Sequence, residues 1–156
     1  MLEKQFLIKC LLDLGQALLL AGAEINRVED SLTRVAKNYG AEKVDVFVLT
    51  SVINITVTFN DESMETQTRR LNAGASTDFN KLEELNALCR NCVNMNIREF
   101  DDSLHKIIVV SPKKLIQYVG SFLTAGGFAL FFGGNVLDGL VAGIFALLIC
   151  FLQIHY

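Results

Sequence analysis

The chain has 156 residues, with 14 basic and 17 acidic side chains and a formal net charge of −3. This mild acidity, without a basic patch carrying interleaved aromatics, excludes a nucleic-acid surface. The charge is unevenly spread: residues 1–112 hold 12 of the basic and 16 of the acidic residues, whereas residues 115–156 carry one charged side chain, Asp138.

From Glu3 to Ala21 the apolar residues Phe6, Cys10, Leu14, Ala17, Leu18 and Ala21 recur at helical steps and predict a first helix with one apolar face. Gly22 is its stop. A second helix follows, with Asn26 as cap and Glu29 as the reciprocal partner of a capping box. Its stripe is Val28, Leu32, Val35 and Ala36, and Gly40 ends it. The period then changes to two. Val44, Val46 and Val48 alternate with Asp45, Phe47 and Leu49. Ile53, Ile55, Val57 and Phe59 alternate with polar residues as a half-buried strand. Asn60 to Ser63 is turn chemistry, and Met64 to Leu71 predicts a third, more polar edge strand. Short links between consecutive strands favour an antiparallel meander.

Asn72 to Asp78 reads as a polar loop, in which Asp78 or Thr77 caps a helix from Phe79 to about Met95. That helix has the face Phe79, Leu82, Leu85, Cys89, Cys92 and Val93. A short helix through Leu104, Ile107 and Ile108 comes next. Ser111 and Pro112 form a helix start. The following apolar run is long enough for two membrane spans of about 20 residues each. The spans are expected at about 115–132 and 136–156, with Gly133, Gly134 and Asn135 as the turn. Seven of the 11 glycines lie in this run, as suits helices that approach closely in a membrane.

The expected fold is therefore an α+β domain, residues 1–110, followed by a transmembrane helical hairpin, residues 111–156. The head has two N-terminal helices, about three antiparallel strands and one or two further helices. The run is still apolar at Tyr156, with no closing loop or basic flank, so the hairpin is expected to begin a longer membrane domain. Glu3, Lys4, Lys9 and Asp13 interrupt the apolar N-terminal segment, which is thus no signal peptide. Lys113 and Lys114 before the first span place the head in the cytosol by the positive-inside rule. Cysteines there stay reduced.

Asp138 is the sharpest candidate, since an ionisable group near a membrane segment is costly and tends to be functional. The alternative places it at headgroup level, beside the turn. Gly133, Gly134 and Asn135 would add backbone and amide groups to a transport path, because Gly-rich breaks can form substrate sites. Gly139 and Gly143 form a GxxxG pair suited to close packing. Cys89-x-x-Cys92 has redox or zinc spacing, but both fall on an apolar helix face and read as core. His105 and His155 lack metal-ligand neighbours in the sequence, and neither a metal site nor a cofactor is expected. Glu24 and Asp30 suit a helix N-terminus, while Arg27 is left to pair with a carboxylate. Ser51 and Ser76 have no matching His, so no hydrolytic site can be built. There is no phosphate-cradling Gly loop either.

The stretch Ala21-Gly22-Ala23-Glu24-Ile25-Asn26-Arg27-Val28-Glu29-Asp30-Ser31-Leu32-Thr33-Arg34-Val35-Ala36, closed by Gly40, resembles the N-terminal signature of the threonine/serine exporter family. Asp78-Phe79-Asn80-Lys81-Leu82 and Phe132-Gly133-Gly134 followed by Asp138 resemble it in the same order. The resemblance implies a multi-span inner-membrane protein that exports threonine, serine or a dicarboxylate such as succinate. It also implies a smaller all-membrane partner subunit where the exporter is split; a homo-oligomer would be another assembly. Gly22, Arg27 and Glu29 are the head-motif candidates it marks. Family proteins with such a head have about five spans, of which two are read here. The competing reading is a cytosolic binding or scaffold domain tethered by a helical hairpin.

Overall fold

The computed structural model describes residues 2–71, 78–110 and 114–155, and the chain divides into two compact units, Met1–Val110 and Ser111–Tyr156. In the first unit the alternating segments form β1 (Ala41–Leu49), β2 (Val52–Phe59) and β3 (Met64–Arg70). They make an antiparallel meander in the order β1-β2-β3. Ile53, Ile55, Val57 and Phe59 all point into the core, and Val48 joins them from β1. On the outer face Asn54 Nδ2 donates to Thr68 Oγ1 at 2.8 Å, and the Thr56 and Thr66 hydroxyls meet at 2.9 Å. Each is a directly opposed pair in the β2–β3 register.

Helix α1 spans Leu2–Leu20. The sequence suggests one apolar face, but Leu7, Ile8, Leu11, Leu12 and Leu19 are buried along with Cys10, Leu14 and Leu18. Phe6 is only half-buried. The reason is position. The helix packs against α2 (Ile25–Asn38), β2, β3, α3 (Phe79–Asn91) and α4 (Ile97–Val109), so among the described residues its exposed positions reduce to Glu3, Gln5 and Lys9. It ends as expected: Gly22 takes φ +92°. The Gly22 N–H donates to Leu19 O and the Ala23 N–H to Leu18 O, both at 3.0 Å, which is a Schellman motif.

The expected Asn26–Glu29 capping box is absent. Helix α2 starts two residues earlier, with Glu24 as an N-cap whose side chain makes no cap bond, so Asn26 falls inside the first turn. Glu29 is engaged elsewhere: its Oε1 accepts the Val48 N–H of β1 at 2.9 Å. The stripe Val28, Leu32, Val35 and Ala36 is fully buried, and Gly40 closes the helix at φ +90°.

Asp78 caps α3 by accepting the Lys81 N–H at 3.0 Å. The alternative cap Thr77, the rest of the expected loop 72–77, and the expected start at Ser111-Pro112 lie outside the described residues. Helix α3 stops at Asn91 rather than Met95, and a 3₁₀ turn, Cys92–Asn94, follows. The tighter winding turns Val93 outward, and Phe79 at the other end is also exposed. Asn38 Nδ2 and Tyr39 Oη both donate to the Cys92 carbonyl, at 3.0 and 3.2 Å. Burial pushes the Tyr39 phenol up to about 12, so it stays a donor. Helix α4 is longer than expected because a full capping box starts it: Asn96 Oδ1 accepts the Glu99 N–H, and Glu99 returns the bond to the Asn96 N–H.

In the second unit α5 (Lys114–Phe131) and α6 (Val136–His155) pack on one another. Among the described residues one helix segment, Val136–Ile154, is long and apolar enough to cross a membrane. The two spans read from the sequence thus become one by this measure. Lys114, Gln117, Ser121, Thr124 and three glycines dilute the apolar character of α5.

Candidate functional site

The Gly133-Gly134-Asn135 turn is built from two end motifs placed back to back. Gly133 takes φ +91°. Its N–H donates to Leu130 O at 3.1 Å and the Gly134 N–H donates to Ala129 O at 2.9 Å, closing α5. A Cβ on Gly134 would lie 2.7 Å from Ala129 O, so the position requires glycine. Helix α6 opens at once with a reciprocal box: the Asn135 N–H donates to Asp138 Oδ2 at 2.9 Å and the Asp138 N–H to Asn135 Oδ1 at 3.0 Å. Asp138 therefore has a structural task at the positive end of the α6 dipole, as a negative charge there should. The structure brings the four candidates of this turn together.

Beyond the turn, glycines set the approach of the helices. Gly126 and Gly139 face each other so closely that a Cβ on either would lie 3.1 or 3.3 Å from the other's carbonyl oxygen. The Phe122 ring lies over Gly143, 2.5 Å from where a Cβ would be. Toward the far end from the turn, the pair opens into a groove of about 700 Å³ that includes Gln117, Ser121, Thr124, Cys150 and Gln153 in its lining. Gln117, Ser121 and Thr124 are spaced four and three residues apart and share one face of α5. A search for charged groups in the apolar run passes over these uncharged donors and acceptors, although their helical spacing is visible in the sequence.

In the head, two stretches that carry the family resemblance meet. The Asp78 N–H donates to Ala21 O at 3.2 Å, joining the start of α3 to the Gly22 motif. Gly22 serves the chain reversal, Glu29 holds β1, and Arg27 lines a pocket of about 280 Å³ between α2 and α3. No carboxylate lies within ion-pair distance of Arg27 among the described residues.

His105 has acidic neighbours that the sequence does not reveal. Its ring lies near Asp101, one turn earlier, and Asp13 of α1, with one ligand-type atom from each within 4.8 Å of the others. Asp13 is already held by Lys9 at 2.9 Å and by Arg69 of β3. Burial pushes the Asp13 carboxyl up, but the hydrogen bonds from Lys9 and Arg69 outweigh it and hold the group below its ordinary range. With both cations in place the donor set suits an ion-pair network better than a metal. Asp101 Oδ1 is buried without a hydrogen bond, 3.4 Å from His105 Nδ1, whose nearer neighbour is the Asp101 carbonyl at 2.9 Å. Cys89 and Cys92 are buried core thiols, and burial pushes Cys89 up to about 11, so it stays protonated and unreactive at neutral pH.

The family pattern described as putative threonine/serine exporter (ThrE) matches residues 9–156. The chain belongs to the threonine/serine exporter family. This is a family of membrane transporters rather than of enzymes. No curated protein matches the chain, and no solved structure does. The exporter match runs through both units, so the head with its Gly22 motif is as much a family feature as the apolar helix pair.

Proposed function

We propose that the chain works in a multi-pass secondary exporter of small hydrophilic metabolites: threonine and serine, or a dicarboxylate such as succinate. The family match over residues 9–156 carries this reading. Residues 1–110 are then a cytosolic domain at the inner membrane, and α5 and α6 are two antiparallel spans in residues 111–156. The surface of the pair supports it. Only 17% of the α6 span is buried, and Leu115, Ile116, Leu123, Phe128, Ile144, Phe145 and Leu148 all present apolar side chains outward. Such a surface is stable against lipid and is a liability in water. The groove with Gln117, Ser121, Thr124 and Gln153 forms one polar wall of the path. Two helices cannot enclose a path, so an all-membrane partner subunit or a second copy supplies the other walls. Asp138, Asn135, Gly133 and Gly134 sit at the turn end of the pair, away from the wide end of the groove.

The test is efflux of labelled threonine, serine and succinate from preloaded cells expressing the full-length protein with its partner. A Thr124→Val/Gln117→Leu variant is compared at equal membrane abundance. Efflux above background that falls in the variant supports the reading. Wild-type cells that retain every substrate would favour a tethered binding domain instead.

A further inference from the structure

The pocket between α2 and α3 has a composition that the membrane path does not explain. Arg27, Asp30, Ser31 and Arg34 lie at three- and four-residue steps on one face of α2, and Asn86 and Arg90 face them from α3 one turn apart. These six residues line about 280 Å³. Three guanidiniums against one carboxylate leave the pocket positive within a head that is acidic overall. Asp30 and Arg34 have the four-residue spacing at which helical ion pairs form. Yet no pair within 4 Å joins Asp30 to Arg27, Arg34 or Arg90 among the described residues. The charges are set around a space instead of spent on each other.

Ser31 adds a second observation. It is 6% exposed, the one polar residue in the buried core among the described residues. Its hydroxyl makes no side-chain hydrogen bond among the described residues, and it lines this pocket. Unlike Asp101 Oδ1, the Ser31 oxygen is not sealed off: it opens onto the pocket, where a ligand can bond to it.

We infer that this pocket binds a free α-amino acid. The arginines take the carboxylate, for which guanidinium has the matching bidentate geometry. Asp30 faces the ammonium, and Ser31 and Asn86 bond to a polar side chain such as a hydroxyl. The volume is below the roughly 300 Å³ at which drug-sized ligand sites begin, which suits a metabolite of this size. A bare phosphate or dicarboxylate would leave Asp30 opposing it, and no aromatic side chain is present to stack a nucleobase. The zwitterion chemistry rests on the pocket alone. The choice of threonine and serine rests on the export reading, and it makes the head a sensor of the exported solute.

The experiment is calorimetric titration of the full chain in nanodiscs with L-threonine, L-serine, 3-hydroxybutyrate (which lacks the ammonium), succinate and inorganic phosphate. The proteins are wild type, Arg34→Gln/Arg90→Gln, Asp30→Asn, and Arg98→Gln as a control on α4, each checked for an unchanged circular dichroism spectrum. The expected result is that wild type and the control bind both amino acids. The double arginine variant weakens L-threonine about tenfold or more. Asp30→Asn weakens L-threonine but not 3-hydroxybutyrate. Unchanged amino-acid binding in both pocket variants, binding of phosphate or succinate in place of amino acids, or no binding at all would each overturn the inference. Efflux is read separately. Pocket-dependent threonine binding without any efflux overturns the export reading and leaves the pocket assignment standing. Efflux with pocket variants that still bind normally does the reverse.

Discussion

The two units of this chain use their apolar residues in opposite ways. In the head nearly all large apolar side chains of α1, α2 and β2 are buried. In the helix pair, among the described residues, only Gly139, Gly143 and Cys150 are buried, and the large apolar side chains point outward. One unit is held by removing hydrocarbon from water. On the proposed reading of the pair as membrane spans, the other has no such drive in lipid and depends on glycine-mediated close approach and on helix ends that satisfy their own backbone groups.

Mutations should separate these two modes. Phe100 is fully buried and packs edge-on against Tyr39 at 5.8 Å. Phe100→Ala should cost the head about 4 kcal/mol, read as a lower urea midpoint by circular dichroism, with α5–α6 proximity unchanged. Asp13→Asn should cost about 2 kcal/mol at pH 7, because Lys9 and Arg69 lose a charged acceptor. Its sign follows from a folded pKa held below the ordinary 3.8. The carboxylate's contribution is fully present above that value and disappears as the pH falls through the folded pKa. Wild type and variant should therefore converge in urea melts carried below pH 3.8. Gly143→Val places a side chain into the Phe122 ring and should weaken the helix pair by about 1 kcal/mol. Cross-linking in bilayers between Cys150 and a cysteine introduced at 121, which line the same groove, should drop, with the head's urea midpoint unmoved. A loss in the head as large as that of Phe100→Ala would erase the contrast. Asn135→Ala should have the smallest effect, about 1 kcal/mol or less of end stability in α6, seen as faster amide exchange at residues 136–138.

Much of the fold was legible because it is local. The two-residue period of Ile53, Ile55, Val57 and Phe59 specifies both strand and face. Gly22, Gly40 and Gly133 mark chain reversals, and all three have positive φ. Of the four Asn-x-x-acid sequences, 80–83 lies inside α3 behind its cap Asp78, and the other three show where local reading stops. Those at 96–99 and 135–138 form reciprocal boxes. The one at 26–29 does not, because Glu29 faces a strand that lies 19 residues further on. The central placement of α1 is hidden for the same kind of reason. Its burial comes from five elements around it, whereas periodicity reports only the strongest face. The early end of α3 depends on Asn38 and Tyr39 holding the Cys92 carbonyl. Of the candidate residues, the turn at 133–138 was legible as a unit. The three-arginine pocket was not, since Arg90 reaches it only through the packing of α3 on α2.

The bond between Glu29 and Val48 has a consequence for assembly. β1 is an outer strand of the sheet, and an outward N–H there is a template on which a foreign strand can grow. Glu29 occupies that N–H, so a helix side chain seals the border of the sheet at Val48. A second copy of this head cannot zip its own strand onto β1 through that point.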